Sequence, residues 1–259
     1  VRLKRDFVAN VSYELRTPLT TIVGYADLLQ SQTNENPKQK AYLDSIQSAA
    51  QELARSIDDV LDMAQIDAGE MSIHREEVRL LDVVAEIGLR LSDAFKARGV
   101  AFDYAGVIES GMVRVDAKRL AQCLEHLLGN AIRNASNGGA VKLNAPKDDD
   151  NLVLEVAYTG RGIPYHVQAH IFDRYIGRER GGPGLGLALV KALVELHDGW
   201  ITLESEPNEG ASFKIHLPGQ AQPVRETAPD TGPKLELVET KKDTGHGNDA
   251  AGDPVVDVA

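Results

Sequence analysis

The chain begins with two stripes of apolar residues at helical spacing. Phe7, Val11, Leu15, Leu19, Ile22, Ala26 and Leu29 recur every three or four positions, which puts them on one face of a helix. The polar run SQTNENP at 31–37 interrupts the pattern with turn formers and a proline. A second stripe follows through Tyr42, Ile46, Ala49, Leu53, Ile57, Val60 and Ala64. Two long amphipathic helices joined by a short loop predict an antiparallel hairpin over residues 1–68. Such a hairpin cannot cover its own apolar face, so two copies are expected to pair as a dimeric four-helix bundle. Pro18 falls inside the first helix and is expected to kink it by removing a backbone hydrogen bond.

From 69 to 218 strand and helix patterns mix. MSIHREEV (71–78) predicts a strand, and LLDVVAEIGLRLSDAFKARG (80–99) an amphipathic helix ended by glycine. GMVRVD (111–116) predicts a short strand and AKRLAQCLEHLLGNAIRNA (117–135) a second helix. AVKLNAP (140–146) and NLVLEVAYTG (151–160) predict neighbouring strands with an acidic hairpin turn between them. GLGLALVKALVELHDG (184–199) reads as a helix, and WITLESEPNEGASFKIHLP (200–218) as a closing hairpin. The order is not a regular alternation. It predicts an α/β sandwich, with helices on one face of a mixed sheet. Cys123 is expected to be a small buried residue and Trp200 to pack in the core.

Residues 219–259 change character. This stretch holds eight acidic and four basic residues and no aromatic one, so it is expected to be a disordered, solvated acidic tail. Composition narrows the rest. The formal net charge of -11 over 259 residues argues against a nucleic-acid or anionic-membrane surface. A single cysteine excludes a disulfide within the chain and fits a reducing compartment. No apolar run approaches the ~18 residues of a membrane helix. With Val1 as first residue and no leader pattern, the expectation is a cytoplasmic part of a longer protein, tied to the membrane only through N-terminal parts not included here.

Two glycine-bearing segments carry candidate chemistry. YTGRGIP (158–164) follows a predicted strand, and GGPGLGLALV (181–190) opens a predicted helix. Gly-rich turns of this kind let backbone N–H groups approach phosphates, and a helix N-terminus favours their charge. HLLGNAIRN (126–134) precedes them on a helix, and IFDRYIGRERGG (171–182) lies between them. Arg174, Arg178 and Arg180 in that segment could contact phosphates or form a solvated basic loop. His166, His170 and His197 lack metal-ligand spacing and read as ordinary surface or core histidines.

This ordered set resembles sensor histidine kinases over about residues 1–218. FVANVSYELRTPL (7–19) is similar to the family's H box, HLLGNAIRN to its N box, YTGRGI to the first glycine box, IFDRYIG to the F box and GPGLGLAL to the second glycine box. The resemblance implies a dimerising phosphotransfer hairpin followed by an ATPase-type domain. It also implies an ATP site through Asn130, Arg133, Tyr158, Gly160, Gly162, Arg174, Gly182, Gly184, Leu185 and Gly186, with Asn130 as the Mg2+ ligand. Its expected partners are a second copy of the chain, a response-regulator receiver domain and a partner histidine kinase.

Four positions depart from the family. Tyr13 stands where the phosphoacceptor histidine belongs. A neutral imidazole is nucleophilic near neutral pH, whereas tyrosine keeps its proton to about pH 10 and needs a base, a role Glu14 could fill. Tyr158 replaces an aspartate whose carboxylate would accept from the adenine amino group. His126 replaces the first N-box asparagine, and Asn134 takes a position that is commonly aromatic. ATP and Mg2+ are therefore expected to bind weakly or not at all. The leading expectation is a degenerate kinase working as a signalling adaptor. The alternatives are a kinase that phosphorylates itself on Tyr13, and a response-regulator phosphatase that positions water with Glu14 and Thr17, which keep the family's E-x-x-T spacing.

Overall fold

The computed structural model describes residues 19–29, 37–146, 151–176 and 184–219. The expected kink at Pro18, the acidic turn and the acidic tail lie outside them. Residues 19–29 form helix α1, and Pro37–Asp67 form the long helix α2. The two pack antiparallel around a small apolar seam. Leu19, Ala50 and Ile57 are buried there, with Val23, Ala54 and Leu61 against them, and Gln47 donates to Asp27 across the pair at 2.6 Å. Of the stripe that the spacing draws on α2, Ile57 is buried within the hairpin and most of the rest is not covered by it. Leu43, Ala50 and Ile57 turn inward, while Tyr42, Ile46, Leu53 and Val60 stay exposed. On α1, Leu19 and Ala26 are buried and Ile22, Tyr25 and Leu29 exposed. Both stripes are apolar, so α2 has one face for its own hairpin and a second face left open.

The rest is a layer of helices on a mixed sheet. The sheet holds β2 (Ala101–Asp103), β4 (Ala140–Asn144), β5 (Asn151–Tyr158), β6 (Trp200–Glu206) and β7 (Gly210–Pro218), in the order β2-β4-β5-β7-β6. Its β2–β4 pair is parallel and the others antiparallel. A separate two-stranded ribbon pairs β1 (Glu76–Arg79) with β3 (Met112–Val115). Against the sheet lie α3 (Leu80–Arg90), α4 (Ser92–Arg98), α5 (Ala117–Asn134) and α7 (Gly186–Leu196), with the short α6 (Tyr165–Gln168) at its end. Leu124, Leu127 and Leu128 of α5, Leu189 and Leu193 of α7, and Leu154, Phe213 and Ile215 of the sheet are fully buried, so these helices and strands share one core. Cys123 is buried with them, which pushes its thiol up to about 12 and leaves it protonated.

Three expectations are corrected. The strand predicted over 71–78 begins only at Glu76. Before it, side chains replace a ladder: the His74 backbone N–H donates to Asp116, and Arg75 pairs with Asp198 at 2.6 Å. The helix predicted over 80–99 is two helices that meet at Leu91, a break that brings Phe95 into the core and stacks it on Phe102 at 4.8 Å. Its end is as expected, because Gly99 adopts the left-handed conformation that closes α4. Trp200 is not a core residue. It is 46% exposed and stacks on His216 at 4.8 Å, on the sheet face opposite Ile201 and Leu203. Among the described residues, no helix is long and apolar enough to cross a membrane.

His197, at the end of α7, is buried. Its Nδ1 bonds the Leu193 carbonyl at 2.8 Å, and its Nε2 accepts from the Asp116 backbone N–H at 3.4 Å. One nitrogen donates and one accepts, so the ring is neutral. Burial is the main cause that holds its pKa below the ordinary value. The unfolded chain then takes up a proton near pH ~6.5 that the folded chain refuses. Stability from this residue is complete above that pH and is lost as pH falls below it. Thermal unfolding followed between pH 7.5 and 5.5 should show the midpoint falling with pH, and His197→Gln should flatten that part of the slope. An unchanged slope would count against a neutral His197.

Candidate functional site

The motifs meet where α5, β5 and α7 end or begin. Asp116 caps α5 by accepting from the Arg119 N–H, and a continuous apolar face then carries the helix to Asn134. The chain bends there and bridges back to β5: Ala135 pairs with Gly160, and Arg161 N donates to Asn134 O at 3.2 Å. A Cβ at Gly160 would sit 2.3 Å from Asn134 O, so only glycine lets the first glycine box lie this close to the end of the N-box helix. Gly162 is fixed more tightly still. Its φ is +65°, and a Cβ there would meet Glu206 O at 2.1 Å.

The second glycine box is tied to the F box and the N box. The Tyr175 N–H donates to Gly184 O at 2.8 Å, and Gly184 has φ +69°. Leu185, buried, is the residue before α7, and Gly186 is its first. A Cβ at Gly186 would lie 2.8 Å from His126 Nδ1, so the imidazole fills the space beside the glycine turn. The structure therefore gathers Asn130, Arg133, Tyr158, Gly160, Gly162, Gly184, Leu185 and Gly186 around the ends of three elements. Gly182, Arg178 and Arg180 lie outside the described residues, as do Tyr13, Glu14 and Thr17 of the H box.

The recognition side chains do not face outward together. Asn130 O and Oδ1 both accept from Asn134 Nδ2, at 2.8 and 3.0 Å. The carboxamide oxygen expected to hold Mg2+ is thus already shared with the residue that replaces the family's aromatic. Among the described residues, no group of three or more His, Cys, Asp or Glu side chains could hold a metal. Arg133 is exposed on the last turn of α5. Tyr158 is 4% exposed, and its ring belongs to the main core, with its strand neighbours Val141 and Ala211. It brings no carboxylate to that position. At these positions the described side chains are a buried ring and a carboxamide already bonded to Asn134.

Other contacts of these motifs were not foreseen. Arg174 makes a two-pronged bond to Asp67 at the end of α2, with Nη1–Oδ2 2.8 Å and Nη2–Oδ1 2.5 Å. Those bonds hold its pKa above the ordinary guanidinium value. Arg119 pairs with Asp62 at 3.0 Å, and Gln122 donates to the same carboxylate at 2.7 Å. His126 Nε2 lies 3.1 Å from Asp59 Oδ1. In the sequence these aspartates look like the solvated face of a helix, and nothing local marks their partners.

The family model for histidine kinase-, DNA gyrase B-, and HSP90-like ATPases matches residues 115–221, and that for the His Kinase A (phospho-acceptor) domain matches residues 3–69. The chain belongs to the sensor histidine kinase family, with a helical region followed by an α/β ATPase domain. It is 54% identical to sensor protein DivL of Caulobacter vibrioides over 222 residues, covering 86% of this chain and 29% of DivL. The crystal structure of full-length ShkA in complex with AMPPNP is similar at 27% identity and a TM-score of 0.70, over 85% of this chain and 47% of that one. The fold also matches histidine kinase ThkA in complex with the response regulator TrrA, at 21% identity and a TM-score of 0.57, over 83% of this chain and 61% of that one. The chain spans about a third of the length of the curated relatives it matches.

Proposed function

We propose that this chain is the signalling core of a degenerate sensor kinase, an adaptor that presents a dimeric helical hairpin to a receiver domain or a partner kinase. Tyr158 carries the reading. A working site needs a charged acceptor for adenine, and here that position is a ring enclosed in the core. Tyr13 points the same way, because it offers no imidazole for a relay. The open apolar faces of α1 and α2 support a second copy as partner. The response-regulator partner rests on the family and on ThkA, whose structure holds TrrA.

The chemistry separates this reading from the others. With γ-labelled ATP and Mg2+, the chain should form no acid-labile phosphohistidine. Acid-stable label that disappears in Tyr13→Phe would establish self-phosphorylation and replace the adaptor reading. Accelerated loss of phosphate from a receiver aspartate, abolished by Thr17→Ala, would establish the phosphatase.

A further inference from the structure

β6 closes one side of the sheet. Among the described residues it pairs only with β7, in unbroken register from Trp200–His216 to Glu206–Gly210. In an antiparallel ladder the backbone groups of successive residues point alternately toward the neighbour and away from it. The Ser205 carbonyl points away, because it accepts from Gln168 Nε2 at 3.0 Å. Leu203 and Ile201 share its phase, so their N–H and C=O groups line the free edge. The devices that usually blunt an edge do not act at this end of the strand. WITL at 200–203 holds no proline and no charge, and its pairing to β7 has no bulge.

The side chains beside this edge define what fits it. Ile201 and Leu203 are half-buried and pack on the core from the helix side, so their outer flank takes apolar residues at the same spacing of two. On the opposite face stand Trp200, Thr202 and Glu204. Trp200 lies directly across the ladder from His216, and the two rings are stacked with 4° between their planes. The imidazole covers the indole from the β7 side, which leaves the other indole face turned to the edge; Trp200 is 46% exposed. From Glu195 to Glu209 the chain has five acidic residues and no lysine or arginine. The Asp198 and Glu204 side chains are 81% and 69% exposed. An indole face bordered by carboxylates suits a guanidinium or an ammonium group. We propose that the free edge of β6 takes an extended basic segment of a partner protein as a further strand. Arginine or lysine at alternate positions lies along Trp200, Thr202 and Glu204, and apolar residues between them cover Ile201 and Leu203. Backbone pairing supplies affinity, and the two alternating rows supply selectivity. This interface is separate from the hairpin and uses no nucleotide motif, so it does not depend on how the nucleotide site is read.

The probe is an end-blocked peptide of alternating arginine and valine, as long as β6, titrated into the full chain. Trp200 is the chain's single tryptophan, so its emission reports on this edge and should change saturably. Hydrogen exchange over 200–206 should slow at the Ile201 and Leu203 amides. The same peptide with every backbone nitrogen methylated keeps its charge and side chains and should protect neither amide. By calorimetry, Trp200→Ala should weaken binding roughly two- to fivefold through loss of the indole face. Thr202→Lys should weaken it by a similar factor, because it sets like charges opposite each other. Circular dichroism checks that both variants are folded. No binding overturns the proposal. So does equal binding of the methylated peptide, or unchanged exchange at Ile201 and Leu203 under saturating peptide, since attraction between charges would then explain the complex. Unaltered affinity in Trp200→Ala overturns the stated partner chemistry. Exchange that is already slow in the free chain and quickens on dilution assigns the edge to a second copy and overturns the proposal as well.

Discussion

Mg-ATP titrated into this chain gives little or no heat, and Tyr158→Asp tightens binding by about ten- to a hundredfold. The factor is that of restoring one hydrogen bond to a charged acceptor, about 1.5–3 kcal/mol. The same substitution has a cost in the free protein. Tyr158 lies between Val141 and Ala211 on the sheet and is almost fully enclosed. Removing the ring leaves a cavity, and the carboxylate that replaces it is poorly solvated. Together these should destabilise the domain by on the order of 3 kcal/mol or more. For a domain of this size that is a drop of roughly 10 °C in Tm. Mg-ATP should then raise the Tm of the variant and leave the wild type unchanged. The two measurements bind the argument together, because loss of stability and gain of ligand come from one position. Tight binding by the unmodified chain, or no change of affinity in a folded Tyr158→Asp, would remove the central support for the adaptor reading.

Much of the fold was legible because its signals are local. The apolar face of α5, the glycine that closes α4 and the alternation of β4 and β5 are each written within a dozen residues. The motif order did not show the close approaches themselves, of Gly160 to Asn134 O and of Gly186 to His126. What was not legible has several causes. On α2, the stripe through Tyr42, Ile46 and Leu53 and the stripe through Leu43, Ala50 and Ile57 are neighbours on one helix, and both are apolar. Spacing identifies them equally well, and only the position of α1 decides which one is inside. Trp200 was assigned by its size, whereas its strand decides by phase: Ile201 and Leu203 point to the core, so Trp200 shares the outer face with Thr202, Glu204 and Glu206. The carboxylates of α2 were invisible for a third reason. Asp62 and Arg119 are far apart in the chain, and a charge on a helix does not show its partner until the domains are placed.

The open stripe of α2 should behave as an interface between two copies. Ile46 and Leu53 are 46% and 52% exposed, and they belong with Tyr42, Val60 and the α1 residues Ile22, Tyr25 and Leu29 to the apolar surface that the hairpin leaves uncovered. A continuous patch of this kind is rare on a protein that works alone. Ile46→Glu with Leu53→Glu would place four carboxylates in the closed interface of a two-fold dimer. At a few kcal/mol for each unpaired buried charge, the dimer should weaken by at least about a thousandfold. Sedimentation velocity should show the wild type as a dimer at micromolar concentration and the variant as a folded monomer. Leu19 supplies the contrast. It is only 5% exposed and packs on Ala50 and Ile57 inside one hairpin, so Leu19→Glu should melt helix in circular dichroism, whereas Ile22→Glu should weaken association with the helices intact. A wild-type chain that sediments as a monomer would transfer this face from a second copy to another partner, and with it the part of the adaptor reading that depends on a dimer.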